Sequence, residues 1–404
     1  MGAALEKAKK LDDEFHMGIY ARKDVMFVRG AGMRLYDDDG NEYLDFVSGL
    51  GAVNLGHSHP NVASAIAVQA STLVHVTNLY HVEHRAELAE RLVELSGMDA
   101  RVMFCNSGTE ASEAAIKLAR RWGTSQRGSS CTEVVTTLNS FHGRTMAALA
   151  ATGQPEKQTA FAPMLPGFEH VPLNDIGALG AAVGEDTCAV MLEPVQGEGG
   201  VYPCDAEYLE AARALCDERG VLLILDEVQT GFYRTGPAFA WQGYGVEPDI
   251  MTLAKSLANG LPAGAVVAKT DVAEAFAPGD HGTTFGGGPV VCAAALETIA
   301  QLQKADVESN VGAVGRHLRS GLESLAETSG AISEVRGRGL MLAVELREPI
   351  AAHIVDAALE RGLVLNNIGP STVRFLPPLV CTTDDADRLL ATLADLLAEG
   401  GGVS

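Results

Sequence analysis

The 404-residue chain has seven cysteines, an odd number, and none of them form a CxxC pair. That usage argues against a disulfide framework and suits a reducing compartment. No apolar run approaches the ~20 residues of a membrane-spanning helix. The longest candidates, such as Val221 to Leu225, have the length of a strand. Met1 to Lys10 mixes Glu with Lys and has no apolar core, so no signal peptide is read there and a cytoplasmic location is expected. Positive charge is scarce: 30 Lys and Arg stand against 52 Asp and Glu, a net charge of −22. A nucleic-acid or anionic-membrane partner is therefore not expected, because phosphate contacts need a concentrated basic surface. An anionic small molecule would need its own local arginines. Internal repeats and low-complexity linkers are also missing, and the Gly-rich tail after Glu399 is expected to fray.

Two nucleotide-binding signatures fail as well. Leu222–Gln229 reads Leu-Leu-Ile-Leu-Asp-Glu-Val-Gln, a buried strand ending in two carboxylates, which has the form of a Walker B strand. The Gly-rich loop that must accompany it ends in Gly-Lys, and the chain contains no such dipeptide. No stretch fits GxGxxG either, which leaves a dinucleotide-binding loop unsupported.

What is present is the composition of a soluble globular enzyme, 47% apolar and 20% charged, long enough for two or three domains. Short apolar runs alternate with amphipathic stretches through the middle of the chain. The runs at Val102–Cys105, Val134–Leu138, Ala189–Leu192, Val221–Leu225, Ile250–Leu253 and Ala263–Ala268 read as strands. Glu110–Arg121 and Ala206–Arg219 read as helices, the latter with Asp205 as N-cap. Such alternation predicts a mostly parallel α/β sheet with its ligand at the strand C-termini. Before it, Met26–Arg29, Met33–Asp37 and Tyr43–Phe46 read as short strands. After about Val290 come helices, a strand at Leu340–Glu345, and helices near Ala351–Arg361 and Thr383–Glu399. The expected division is an N-terminal segment (1–60), a large domain (61–290) and a C-terminal small domain (291–404).

Four stretches carry chemistry. Phe104–Glu110 runs from a strand through Ser107, Gly108 and Thr109 into a helix, where N–H groups and hydroxyls can cradle a phosphate. The same letters also fit an ordinary capping box of Ser107 with Glu110. Asp226 ends a strand, and a carboxylate there can hold a pyridine nitrogen protonated, as pyridoxal 5′-phosphate requires. Lys255 lies just past the next apolar run, which would put both side chains at one edge of the sheet. A lysine amine condenses with an aldehyde, although a solvated lysine opening a helix fits that position too. In Ser140–Thr145, Phe141 could stack on a flat ring and Arg144 could clamp a carboxylate. With Arg374 in the strand-like Thr372–Leu376, the two arginines match a substrate with two carboxylates. His57 and His59 have a spacing that could ligate a metal, but no third ligand cluster accompanies them, so a structural loop is expected and no metal.

In order and spacing these segments resemble the class III (ornithine-type) aminotransferases over almost the whole chain. The resemblance rests on Leu55-Gly-His-Ser-His-Pro60, Ser107–Glu110, Ser140–Thr145, Glu193-Pro-Val-Gln-Gly-Glu-Gly-Gly200, Leu225–Gln229, Lys255 and His281-Gly-Thr-Thr-Phe-Gly286. It implies the pyridoxal-phosphate-dependent transferase fold type I, aspartate aminotransferase-like: a large domain with a mostly parallel mixed sheet plus a smaller α+β domain. By position it implies Lys255 as the Schiff-base lysine and proton shuttle, Asp226 as partner of the pyridinium and Gln229 as contact to the ring hydroxyl. Phe141 and Val228 would sandwich the ring. Ser107, Gly108 and Thr109 would hold the phosphate, completed by Thr284 from a second subunit, which implies a homodimer with shared sites. Arg144, Thr283 and Tyr20 match substrate contacts, and Glu198 with Arg374 matches a gating pair.

The implied reaction moves the δ-amino group of N2-acetylornithine to 2-oxoglutarate, as in arginine biosynthesis. Ornithine, succinylornithine and 4-aminobutyrate remain rival donors, and an aminomutase of the glutamate-1-semialdehyde type is a further rival. One position departs from the family pattern: Gly288 stands before Pro289 where Asn is usual, beside the loop assigned to the second subunit.

Overall fold

A computed structural model describes residues 2–400; the rest of the Gly-rich tail lies outside them. Seven strands form the central sheet, in the order Ala100–Cys105, Gly264–Lys269, Ile250–Leu253, Leu222–Asp226, Thr187–Leu192, Glu133–Thr137, Phe168–Val171. Ile250–Leu253 through Phe168–Val171 pair in parallel. Gly264–Lys269 runs antiparallel to both its neighbours. The sheet is therefore the mostly parallel, mixed one the sequence implied. Thr187–Leu192, Leu222–Asp226 and Ile250–Leu253 are buried at every residue. Strands covered on both faces read as continuous apolar runs, which is why they stand out in the sequence. Phe168–Val171, which sequence reading missed, is one of the two edge strands, with only Val171 buried.

Helix starts differ in detail from expectation. The long helix Gly108–Gln126 begins at Ser107, whose hydroxyl accepts from Glu110 N at 3.3 Å. The Glu110 carboxylate takes Asn106 N instead of Ser107 N, so the capping box is only half formed. Asp205 stands at the N-cap of Ala206–Arg219, but its side chain makes no capping bond.

Two four-stranded sheets accompany the central one. Phe27–Ala31, Arg34–Asp37 and Glu42–Asp45 form an antiparallel ladder, and Leu363–Val364 joins it in parallel beside Glu42–Asp45. Ile332–Arg338, Met341–Leu346, Thr372–Phe375 and Asn366–Ile368 form the second, antiparallel throughout. The helices Pro289–Lys304, Val307–Ser329, Ala351–Glu360 and Thr383–Gly400 belong to the C-terminal third.

The N-terminal and C-terminal parts are stitched together near the strand ends. Leu376 N donates to Phe46 O at 2.7 Å, and Leu379 N donates to Asn54 O at the same distance. Arg234, fully buried, donates to the carbonyls of Leu340 and Pro377 and to Asn54 Oδ1. One guanidinium thereby ties three separate segments around the C-terminal edge of the sheet. Among the described residues, no helix is long and apolar enough to cross a membrane.

Candidate active site

A cavity of about 390 Å³ opens at the C-terminal ends of the parallel strands, where open α/β sheets place ligands. Asp226 is the last residue of its strand and lies opposite Thr252 in the ladder. Lys255 follows that neighbouring strand, so both side chains reach the cavity from one sheet edge. The expected proximity therefore follows from strand register. Glu227, the second carboxylate of the motif, is buried and accepts from Trp241 N at 2.9 Å; it does not line the cavity.

Asp226 is held on both oxygens. Oδ1 accepts from Val228 N and from Thr252 Oγ1, each at 3.0 Å. Oδ2 pairs with His142 Nδ1 at 2.8 Å. Burial opposes charge on the His142 ring, but the Asp226 hydrogen bond and charge outweigh it and raise the imidazole pKa. His142 was part of the motif read in the sequence, yet only its burial beside Asp226 reveals a role.

The Lys255 side chain makes no hydrogen bond among the described residues, and the residue has φ +39, a left-handed conformation uncommon for a residue with a side chain. Burial pulls its pKa below the ordinary lysine value, against the carboxylate of Glu198, which raises it. An amine so placed is more often neutral near physiological pH and better able to attack a carbonyl or take a proton.

Ser107, Gly108 and Thr109 line the same cavity at the start of the Gly108–Gln126 helix, where free N–H groups favour an anion. A Cβ on Gly108 would come within 2.9 Å of Val228 Cγ1, so glycine is what lets this turn pack against Val228. Phe141 and Val228 line the walls. Glu193, which opens a motif read in the sequence but was given no role there, accepts Phe141 N at 2.9 Å and Gly197 N at 3.1 Å. Burial pushes its carboxyl up to about 7.

Glu198 and Arg374 meet at 2.7 Å. Burial alone would raise the Glu198 carboxyl, but Arg374 and then Lys255 bring it down to about 2. Arg374 also donates through Nε and Nη2 to Asn366 Oδ1 and through Nη1 to Gln229 Oε1. Arg144, by contrast, is exposed at the mouth, with its guanidinium 5.5 Å from the Phe141 ring centre. Among the described residues it has no carboxylate partner.

Three expected residues stand apart within one chain. Tyr20 is 70% exposed and lies beside the N-terminal helix Ala3–Phe15. Thr283 and Thr284 line a neighbouring cavity with Asn106, and Asn106 Nδ2 donates to Thr283 Oγ1 at 3.2 Å. His57 pairs with Asp45 at 2.7 Å, in keeping with a structural loop.

Comparison with known proteins agrees with this geometry. The family profile described as "Aminotransferase class-III" matches residues 19–397. The chain is 48% identical over 389 residues to the acetylornithine aminotransferase of Methanocaldococcus jannaschii, covering 96% of this chain and 97% of that protein. It is 49% identical over 383 residues to the acetylornithine aminotransferase of Gloeobacter violaceus, covering 95% of each. The crystal structure of ornithine aminotransferase from Toxoplasma gondii superposes with a TM-score of 0.94 at 33% identity, covering 98% of this chain and 96% of that one. The fold is thus type I, as the sequence implied, and the chain belongs to the class III aminotransferases, enzymes that work with pyridoxal 5′-phosphate.

Proposed function

We propose that the chain transfers the δ-amino group of N2-acetyl-L-ornithine to 2-oxoglutarate, giving N-acetyl-L-glutamate 5-semialdehyde and L-glutamate. The observation that carries this reading is the closed Glu198–Arg374 pair beside an unpartnered Lys255. A donor whose reacting amine has no carboxylate next to it needs no cation at that position, and the pair removes one.

The residues present fit the cofactor. A cradle that only glycine lets pack at Gly108, a strand-end carboxylate and an unpartnered amine all face one cavity. Ser107, Gly108 and Thr109 would hold its phosphate, with Thr284 of a second subunit. Asp226 would hold the ring nitrogen, Gln229 the ring hydroxyl, Phe141 and Val228 the ring faces, and Lys255 the aldehyde carbon. When bound, pyridoxal 5′-phosphate supplies an electron sink for the pair left behind as a proton leaves the amine-bearing carbon.

The chain's own part is positioning and proton handling. Lys255 Nζ takes the proton from the amine-bearing carbon and returns it, helped by the pKa lowering that burial brings. His142 holds the Asp226 carboxylate in place. Arg144 binds the donor's distal carboxylate, and Thr283 and Tyr20 complete the substrate contacts. When 2-oxoglutarate enters, Glu198 swings away and Arg374 binds the carboxylate beside the keto group.

The carboxylates lining the cavity are Glu193, Glu198 and Asp226, and each already has partners. A free α-ammonium such as that of ornithine would find no spare anion there, which supports an N-acylated donor.

The working enzyme is a homodimer with shared sites. The exposure of Leu79 (85%), Tyr80 (65%) and Phe285 (64%) beside the Thr283–Thr284 loop supports this. Its domains are 61–290 for the cofactor and 291–404 as the small domain, with 1–60 packed against the latter; the pairing of Leu363–Val364 with Glu42–Asp45 supports that division. Seven buried free cysteines support a reducing, cytoplasmic setting. A donor panel of acetylornithine, ornithine, succinylornithine and 4-aminobutyrate, each with 2-oxoglutarate, tests the assignment. Acetylornithine is expected to have the highest kcat/KM, and a higher value for another donor would reassign the substrate.

A further inference from the structure

The segment that carries Glu198 is pinned on every side. Two short strands, Val195–Gln196 and Tyr202–Pro203, pair antiparallel and are joined by residues 197–201. Gly197 N donates to Glu193 Oε1. A Cβ on Gly197 would fall 2.2 Å from Gln229 Oε1, and one on Gly199 would fall 2.4 Å from Asn139 O. The connection therefore lies flat against both walls. Val201 is fully buried at φ +62, a conformation that a β-branched residue keeps only when its surroundings impose it.

Two features impose it. Val201 packs in an apolar cluster with Val195, Met341, Ala343 and Leu376. In addition, Arg336 Nε donates to Gly200 O at 2.6 Å. The Arg336 side chain, 4% exposed, is then fastened to the C-terminal sheet. Nη1 reaches Glu334 at 3.0 Å, while Nη2 reaches Glu345 at 2.7 Å and Thr372 Oγ1 at 3.2 Å. Its guanidinium also lies 4.1 Å from the centre of the Tyr202 ring.

Thr372 precedes Arg374 by two residues on one strand, so their side chains share a face. Gly200 follows Glu198 by two residues. Two arginine rungs thus run between the same pair of segments. Arg336 grips a backbone carbonyl and is neutralised by two carboxylates. Arg374 grips a single carboxylate on the hairpin, that of Glu198, which can rotate away.

We propose that Arg336 is a positioning residue for donor selection, holding the Glu198 hairpin against the Arg374 strand so that the gate opens by rotation of the Glu198 side chain alone. This rests on the gate reading above. A pinned hairpin keeps the Glu198 carboxylate at high effective concentration beside Arg374, so any incoming carboxylate must outcompete it. A loosened hairpin weakens that internal competitor. Substrates with a carboxylate next to the reacting carbon then gain, and acetylornithine does not.

The test compares holoenzymes of the wild type, Arg336→Gln, Thr372→Val, Glu198→Ala and the Arg336→Gln/Glu198→Ala double variant. The readouts are the KM for 2-oxoglutarate and the ratio of kcat/KM for acetylornithine to that for L-alanine. Arg336→Gln is expected to lower the KM for 2-oxoglutarate and cut the ratio by about 5-fold or more, and the double variant should match Glu198→Ala with no further cut, because both changes act on one gate. General damage to the fold would instead raise every KM. Thr372→Val should move both readouts in the same direction by less, and it decides the matter if Arg336→Gln does not fold. Unchanged readouts in Arg336→Gln and Thr372→Val while Glu198→Ala shifts the ratio would overturn this proposal alone, as would additive effects in the double variant. A Glu198→Ala ratio equal to that of the wild type would overturn the gate reading and this proposal with it.

Discussion

Glu198 Oε1 lies 2.7 Å from Nη1 of Arg374, and the arginine side chain is 1% exposed. The arginine is held from its other side by Asn366, which leaves Glu198 as the movable partner. With its pKa lowered to about 2, the carboxyl has a folded value below its unfolded one. The stability it contributes is therefore present above about pH 4.5 and is lost as pH falls toward 2. Donor selectivity should accordingly stay flat from pH 6 to 9 as far as Glu198 is concerned. Glu198→Ala should raise kcat/KM for L-alanine relative to acetylornithine by about 10-fold or more. Equal selectivity in the variant, measured by steady-state kinetics with both donors, would remove the gate.

Lys255 is the proton carrier in the proposed reaction, and its replacement should be severe. Lys255→Ala is expected to lower kcat by at least about 10³-fold, the scale of a lost nucleophile and general base. Turnover near the wild-type level would contradict its role. Because burial lowers its pKa, reconstitution of the cofactor-free wild type with pyridoxal 5′-phosphate should speed up as pH rises, with a midpoint below 10.5. A midpoint at or above 10.5 would mean the amine is not depressed.

His142 should matter through Asp226 and not by touching substrate. The raised pKa of its imidazole means the stabilisation it brings is complete below about pH 6.5 and is lost as pH rises through the folded value. The Tm difference between the wild type and His142→Asn should therefore be largest below pH 6.5 and shrink at higher pH. Scanning calorimetry across pH 5.5 to 9 gives the comparison, and a difference that grows with pH would reverse the assignment.

Arg144 is exposed and without a carboxylate partner among the described residues, so its loss should spare the fold. Arg144→Gln should change stability by no more than about 0.5 kcal/mol. The KM for acetylornithine and for 2-oxoglutarate should both rise by about 10- to 100-fold, the scale of a charge-assisted pair to a carboxylate. A rise for only one of the two substrates would show that Arg144 does not hold the carboxylate they share.

The central strands were legible in the sequence because burial on both faces demands unbroken apolar runs, and Ile250–Leu253 was found to the residue. Phe168–Val171 was not, because an edge strand with one buried residue leaves no such pattern. Asp205 looked like a capping side chain, yet a short polar residue at a helix start has water as an alternative partner, and the capping bond is absent.

The sequence by itself determined the buried strands of the sheet, the motifs and the family, since these depend on local apolar patterning and on residues close together in the chain. Tertiary structure alone decided the partners: His142 for Asp226, Asn366 for Arg374, and Arg336 for Gly200, 136 residues away. Each partner is chosen by which polar groups the fold strands together out of water. Nothing in the local sequence of either residue records that choice.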